Sequence, residues 1–572
     1  MNRLDTDILI LGSGGAGLFA ALHAKAGAPD ASVTVAVKGL LGKSGCTRMV
    51  QGGYNVALGP GDSVERHFRD TVEGGAWLND QELAWKLVET APKRVRELEN
   101  DLGCFFDRGP DGGLHRKAFA GQTFDRTVHK GDLTGIEIIG RLAERVWSSG
   151  IRRLEDHRAA ALLPDASGEA LAAVLFIDMR TGAFVLARAR AVLLATGGGP
   201  TLYRYHTPSG DKSCDGMALA LRAGLTLRDM EMVQFHPTGL LAGPGTRMTG
   251  TVLEEGLRGS GGWLLTGAGE RFMERTDPRA ERATRDVISR AMIEEIRAGR
   301  GTPNGGLYLK MSHLGPAAVR ARFKGMVERC ADCGFDLAGG LVEVIPTAHY
   351  LMGGVVFAPD GSTALPGLFV AGEDSGGVHG GNRLGGNGVA DSTVFGGLAG
   401  DRMAAWLRDA PGFRDPDPAR LDEARARALA PLRRPGPARL ADLRERLSSL
   451  MWDKVGVLRD GPGLAAAVAG LAELAGELAE TGAGSGDPAF NLAWHEWLNL
   501  ENLILAGRAI AASALARENS RGAHWRGDFP GAGDLAASRT TEVSVQEGAM
   551  RVALRPVAFT RLRPEPEPEG GR

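Results

Sequence analysis

Asp7-Ile8-Leu9-Ile10-Leu11-Gly12-Ser13-Gly14-Gly15-Ala16-Gly17 is the stretch from which the rest of the chain is read. A β-rich apolar run stops at Gly12, an Ala/Leu-rich helical pattern covers about 17–25, and a second strand is predicted over 33–37. G-x-G-x-x-G therefore falls between a strand and a helix. In that setting Gly12 permits the tight turn, Gly14 lets a pyrophosphate approach the backbone, and Gly17 lets helix and strand pack closely. The helix N-terminus then offers free N–H groups to the phosphates.

Outward from this unit, two more strand-then-glycine junctions occur. Residues 191–195 precede Thr196-Gly197-Gly198-Gly199, and 368–371 precede Gly372-Glu373. A mixed segment lies between them, opening at Phe235-His236-Pro237-Thr238-Gly239. The expected fold is α/β: a Rossmann-like dinucleotide-binding domain (1–228 and 345–410) with an inserted α+β capping domain (229–344). After 410 the Pro/Arg/Ala-rich stretch 411–437 reads as an exposed connection and a helix start. Residues 438–519 carry helical spacing, with an Ala-rich surface helix near 464–481. A helical domain is assigned to 411–525 and a C-terminal segment to 526–572. The latter holds a weakly alternating stretch, 543–562, readable as strand, and a polyproline-like tail from Arg563 expected to be disordered.

Composition narrows the function. A chain of 572 residues has room for several domains at roughly 100–200 residues each. Its 67 basic and 69 acidic side chains leave a formal charge of −2, which gives no reason to expect a nucleic acid or an anionic membrane surface as partner. No run of about 18 apolar residues is evident, so no transmembrane segment is expected. Strand-like sequence from Asp7 leaves no room for a signal peptide, which makes the cytoplasm the expected compartment. The 83 glycines follow no triplet period and cluster after apolar runs, as they would where backbone approaches a ligand. Five scattered cysteines make no disulfide framework, and Cys330-Ala-Asp-Cys333 has no second pair or neighbouring histidines, so no metal is expected.

The cofactor is read as FAD rather than NAD. The second strand ends at Lys38, where a nicotinamide site would carry an acid for the ribose. An acid is offered instead by Glu373 at another strand end, and the glycine-rich crossover at Thr196–Gly199 suits a larger cofactor.

Five spaced blocks then carry a resemblance. They are Cys214-Asp-Gly with Gln234-Phe-His-Pro-Thr-Gly; Glu255-Gly-Leu-Arg-Gly; Arg285-Asp-Val; Pro346-Thr-Ala-His-Tyr; and Gly380-Gly-Asn-Arg-Leu-Gly-Gly-Asn. In this order they resemble the succinate dehydrogenase/fumarate reductase flavoprotein family, which includes L-aspartate oxidase. The likeness runs from about residue 7 to Arg517-Glu-Asn-Ser-Arg-Gly-Ala-His and weakens over the final 40 residues. It implies FAD contacts at Gly12, Ser13, Gly14, Gly15, Ala16 and Gly17, at Lys38, and along 43–53 through Ser44, Gly45, Cys46, Thr47, Gln51, Gly52 and Gly53. Further FAD contacts are implied at Asp215, Glu373, Gly388 and Val389. It also implies dicarboxylate binding by His236, His349 and Arg383, and a proton path through Arg285, Glu255 and Arg258. The chemistry is coherent: a C4-dicarboxylate needs a planar fork and imidazole donors at its two ends. Polarising a carboxylate prepares the olefinic carbon for hydride. An arginine with a pKa above 12 can give up a proton only if a relay restores it.

Three positions depart from the family pattern. Cys46 stands where covalent members carry the flavin-linking histidine, and no histidine lies between Lys38 and Gly53, so non-covalent FAD is expected. Glu254 stands where a threonine hydroxyl usually holds a substrate carboxylate. An anion there would repel a dianion unless it is protonated, turned away or paired with a substrate ammonium. The loop 121–135 has the short length of L-aspartate oxidase, yet Phe119 looks like succinate dehydrogenase. The resemblance thus implies an FAD-dependent oxidoreductase acting on CH–CH donors, with hydride exchanged between flavin N5 and a fumarate- or succinate-like C4-dicarboxylate. The alternatives are an L-aspartate oxidase-like reaction (aspartate to iminosuccinate, with O₂ or fumarate as acceptor) and an electron-relay flavoprotein subunit. An iron–sulfur protein is an implied partner, through which the chain would sit peripherally at the inner face of a membrane.

Overall fold

In a computed structural model of the chain, which describes all residues except 244, 411, 435–438 and 566–572, the opening run forms the strand Asn2–Leu11. It is longer than the apolar run predicts because 2–6 also pair, in parallel, with 185–189 of the strand Phe184–Leu194. Ile8, Leu9 and Ile10 are fully buried, as expected for a parallel strand covered on both faces. Helix Gly15–Gly27 follows, and Val33–Ala36 pairs in parallel with the first strand.

These strands belong to a seven-stranded sheet. Phe184–Leu194 is its organiser. Its first half takes Leu171–Asp178 as an antiparallel neighbour, and its end takes Leu368–Val370 as a parallel one. The two glycine-rich junctions after 194 and 370 therefore open at the same sheet end as Gly12. Helix Asn387–Asp409 packs on Gly15–Gly27, and the contact requires Gly396 and Gly400: a Cβ at either would press on the Ala16 or Ala20 carbonyl at 2.5 Å.

Between the two halves of this unit stands an antiparallel sheet in the order Val233–Leu240, Leu341–Leu351, Leu307–Lys310, Trp263–Leu265. It has its own hydrophobic cluster, including Leu257, Phe272, Met292, Leu309 and Val342. The mixed segment between the glycine junctions thus folds as an α+β layer.

The C-terminal third is helical through Pro418–Leu429, Leu440–Lys454, Gly461–Glu480 and Leu492–Ala516. Gly461–Glu480 is the helix that comes nearest to the membrane-length apolar run the sequence is not expected to hold, and Glu473 and Glu477 interrupt it. Among the described residues it alone is long and apolar enough, by length and composition, to cross a bilayer. It lies instead as a surface helix, as the Ala-rich tract predicts, burying Leu464, Ala467, Leu471, Leu474 and Leu478 along one face. The last stretch is a hairpin, Arg539–Gln546 with Ala549–Pro556, and it is not a separate appendage. Its first strand pairs with Leu227–Arg228, which pairs in turn with Gly354–Val355, tying the C-terminus to both halves of the dinucleotide unit. Most of the expected disordered tail lies outside the described residues.

Candidate active site

Two cavities meet at the C-terminal ends of the parallel strands, where open α/β sheets bind ligands. One is about 420 Å³ and the other about 60 Å³, and Gly14, Ala195 and Lys212 line both. Together they make one elongated groove. The small end gathers Gly12, Ser13, Lys38, Ser44, Gly45 and Asp215, and the large end Gly15, Ala16, Cys46, Thr47, Gln51, Gly52 and Gly53. Glu373, Gly388 and Val389 also line the large end. Gly17 lines neither: a Cβ there would collide with the Gly12 carbonyl, so its role is packing within the turn.

The groove fits a flavin dinucleotide. Gly12 has φ +113°, and a Cβ there would strike the Ala195 carbonyl. A Cβ at Gly14 would meet only Thr47 Oγ1, at 3.5 Å, so the backbone at Gly14 is open to a phosphate. The helix beginning at Gly15 has no acidic residue in its first turn, which leaves its positive end unopposed. Thr47 Oγ1 accepts from Gly15 N at 2.9 Å and so pins the loop of 43–53 against this turn.

At the small end Lys38 Nζ donates to Asp215 Oδ2 at 2.6 Å and to Ser213 Oγ at 2.7 Å. Burial would raise the Asp215 carboxyl, but Lys38 and Arg158 beside it hold it well below the usual carboxylate range. Glu373 accepts from Leu351 N at 3.0 Å, and burial pushes its carboxyl up.

At the far end of the large cavity the chain concentrates buried charge. Arg285, the first residue of helix Arg285–Glu295, donates from Nε (2.9 Å) and Nη2 (2.5 Å) to Glu255 Oε2. Its Nη1 donates to Gln234 Oε1 at 2.9 Å, and Arg383 Nη2 donates to the same oxygen at 3.1 Å. Two guanidinium groups are thus held side by side by one amide. The Arg383 guanidinium also lies over the Tyr350 ring at 4.6 Å, and burial lowers its pKa to about 10. Arginine stays a cation at that value.

His236 and His349 come from adjacent antiparallel strands, with ring centroids 5.4 Å apart. Burial, reinforced by Arg285 and Arg383, holds both well below the ordinary imidazole value, so they are neutral before any anion arrives. His236 Nδ1 accepts from Thr238 N at 3.3 Å, which leaves Nε2 to carry the proton. Neutral imidazoles can offer hydrogen bonds but no charge, so the positive charge at this end of the cavity is that of Arg285 and Arg383. Phe119 is buried, and a Cβ added at Gly52 or Gly385 would run into its ring.

Arg258 is the exception among the expected substrate and catalytic residues. It lines neither cavity; its Nη1 donates to the Glu281 carbonyl at 3.1 Å, while Nε and Nη2 are buried without a partner. Burial raises the Glu255 carboxyl, and Arg285 followed by Arg258 lowers it to a net value below the usual range. Arg258 acts on Glu255 through its field, and no hydrogen bond joins them among the described residues.

Glu254 is almost fully buried on the cavity wall, and its partner is none of the options left open by the sequence. Lys117 Nζ donates to its Oε1 at 2.7 Å. Sequence reasoning missed Lys117, Gln234 as the arginine bridge, and Lys212, whose Nζ donates to the Thr196 carbonyl at 2.8 Å between the two cavities. Gln234 sat inside a recognised block, but nothing in spacing marks which of its neighbours will be shared. Cys330 and Cys333 are unpaired, and no metal-binding cluster occurs among the described residues.

A Rossmann-type sheet, a dinucleotide groove and a buried cationic pocket at its end define an FAD-dependent oxidoreductase. Family models agree along most of the chain: "FAD binding domain" matches residues 7–389 and "Fumarate reductase flavoprotein C-term" matches 444–569. The second match extends over the last 40 residues, where the sequence blocks lose their likeness. The chain is 41% identical to a fumarate reductase (CoM/CoB) subunit of Methanothermobacter marburgensis, over 92% of this chain and 95% of that protein. It is 36% identical to a fumarate reductase flavoprotein subunit of Mycobacterium tuberculosis, over 98% of each. Among solved structures, FrdA of the E. coli quinol fumarate reductase superposes with a TM-score of 0.93 at 32% identity, over 99% of both chains. The chain belongs to the succinate dehydrogenase/fumarate reductase flavoprotein family.

Proposed function

We propose that the chain interconverts fumarate and succinate, or close C4-dicarboxylate analogues, on non-covalently bound FAD. The observation that carries this reading is the pair of guanidiniums, Arg285 and Arg383, converging on one Gln234 oxygen beside two neutral imidazoles in a cavity continuous with the nucleotide groove. Arg383 binds one carboxylate through its planar fork, and His236 and His349 donate to the other. Arg285 delivers or takes up the proton at the second olefinic carbon. The Glu255 carboxylate, 2.5 Å behind it, replaces or removes that proton. Bound flavin supplies or accepts the hydride. Phe119 closes the cavity wall and excludes water from the reacting carbons.

Cys46 supports non-covalent binding: burial pushes its thiol up to about 12, so it stays protonated and is a poor nucleophile. Acid precipitation should release all the flavin into the supernatant and leave a polypeptide of unmodified mass; a flavin retained on the chain overturns this. Fumarate with a reduced dye, succinate with an oxidised dye and aspartate with O₂, tested on the purified protein, distinguish the reactions. Turnover of the first two supports the proposal, and oxygen uptake with aspartate alone rejects it.

Relatives are named as subunits, which supports partner subunits for this chain; an iron–sulfur protein as electron partner, and through it a location peripheral to the inner face of a membrane, is the form the family resemblance implies. The functional units we assign remain 1–228 with 345–410 for FAD, 229–344 for substrate, and 411–525 and 526–572 as support.

A further inference from the structure

Glu254 is out of place in a pocket for a dianion. It lies on the cavity wall with only 3% of its surface exposed, one residue before Glu255. Burial pushes its carboxyl up, and the Lys117 ammonium at 2.7 Å offsets part of that shift, leaving it above the usual carboxylate value. The other groups that face it offer no such relief. Asp132 and Glu255 are both acidic and raise it further. Helix Lys324–Ala331 packs against the Glu254 backbone through Met326, while its Arg329 is bonded to the Val252 carbonyl at 3.0 Å.

Lys117 does not line the cavity. It reaches Glu254 from behind, from the short strand Arg116–Lys117, and its side chain is 22% exposed on the outer side. A second bond, to the Gly131 carbonyl at 2.8 Å, holds the ammonium in place. That strand pairs with Thr127–Val128, which pairs with Tyr54–Asn55 beside the flavin loop, so Lys117 is carried on the frame of the site itself.

We propose that Lys117 is a positioning residue that sets the charge of the substrate pocket: it neutralises Glu254 from the outer side, and the pocket binds a dicarboxylate only while that ion pair is intact. This rests on the dicarboxylate reading above. A buried carboxylate stripped of its partner either takes up a proton or repels the substrate, and pH decides which. With Lys117 gone, the force lowering the Glu254 pKa is gone too. The carboxyl is then neutral at low pH and ionises as pH rises, so substrate affinity is lost towards high pH.

The test is KM and kcat for fumarate between about pH 6 and 9, on the FAD-loaded wild type and on K117M, E254Q and K117M/E254Q. K117M should raise KM about tenfold at the alkaline end and little at the acidic end, with kcat at saturation and flavin content preserved. The double variant should lose this pH dependence and return to within about threefold of the wild type. E254Q alone leaves an unpaired ammonium behind the pocket and should lower KM. The proposal is overturned if KM of K117M equals that of the wild type at every pH, if it rises equally at every pH without rescue by E254Q, or if E254Q alone raises KM. Should K117M fail to fold, the direction of the E254Q change decides. A wild type that turns over no dicarboxylate rejects the parent reading instead, and is recognised without any variant.

Discussion

The nucleotide groove and the substrate pocket share one wall yet are built from different materials. The groove is largely backbone: a turn at Gly12, an open approach at Gly14 and a helix end at Gly15, all within a few consecutive residues. The pocket is side chains, brought from Glu254, Glu255, Arg285, His349 and Arg383 and held from behind by buried bonds to Lys117 and Gln234. A backbone site tolerates almost any neighbour but no added Cβ. A side-chain site tolerates backbone adjustment but no unpaired charge. Each should therefore fail in its own way.

The largest expected effect separates the two. Arg285→Gln should lower kcat about 10²–10⁴-fold, the usual share of a general acid, while absorbance spectra show FAD still bound. Loss of flavin together with activity would mean that pocket and groove are not independent. Next, Gly14→Ala should keep the fold, because its Cβ finds 3.5 Å of room, and yet should lose FAD on gel filtration; Gly12→Ala, strained at φ +113° and blocked by Ala195, should fail to fold. If both variants retain flavin, the backbone account of the groove is wrong.

A smaller effect is expected at the bridge. Gln234→Leu leaves two buried guanidiniums without their common acceptor, at a cost of about 1–3 kcal/mol, or roughly 5- to 150-fold in kcat/KM. An unchanged kcat/KM would show that Arg285 and Arg383 need no bridge. The mildest test is pH. Burial lowers His67, bonded to Asn387 at 3.0 Å, to about 4. Between about pH 6.5 and 4 the unfolded chain binds a proton there that the folded chain does not, so stability falls as pH falls through this window. The melting temperature should drop accordingly, and less steeply in His67→Gln; equal slopes would assign the acid sensitivity to the other buried histidines.

How much of this was readable beforehand follows the same division. The strand–glycine–helix unit and the second and third glycine junctions were legible because they are contiguous and periodic. The inserted α+β layer was legible from its place between two such junctions. The pocket residues were named through family blocks, and the structure brings His236, His349, Arg285, Glu255, Arg383, Glu254 and Phe119 onto one cavity. Arg258 stands behind it, because its guanidinium turns to the Glu281 carbonyl. Lys117 was invisible: it lies 137 residues from Glu254 in sequence, and a lysine on a short, turn-rich segment carries no signal of its partner. The weak alternation of 543–562 marks strand in the C-terminal hairpin, but its pairing with Leu227–Arg228 has no local mark.

The chain by itself determined the dinucleotide scaffold, because φ/ψ freedom, apolar runs and helix starts are local properties written within a few consecutive residues. Tertiary structure alone decided the electrostatics of the pocket. Whether a buried carboxylate faces a guanidinium, as Glu255 does, or a lysine ammonium, as Glu254 does, decides its charge in a low-dielectric interior, and that pairing exists only once the chain has folded.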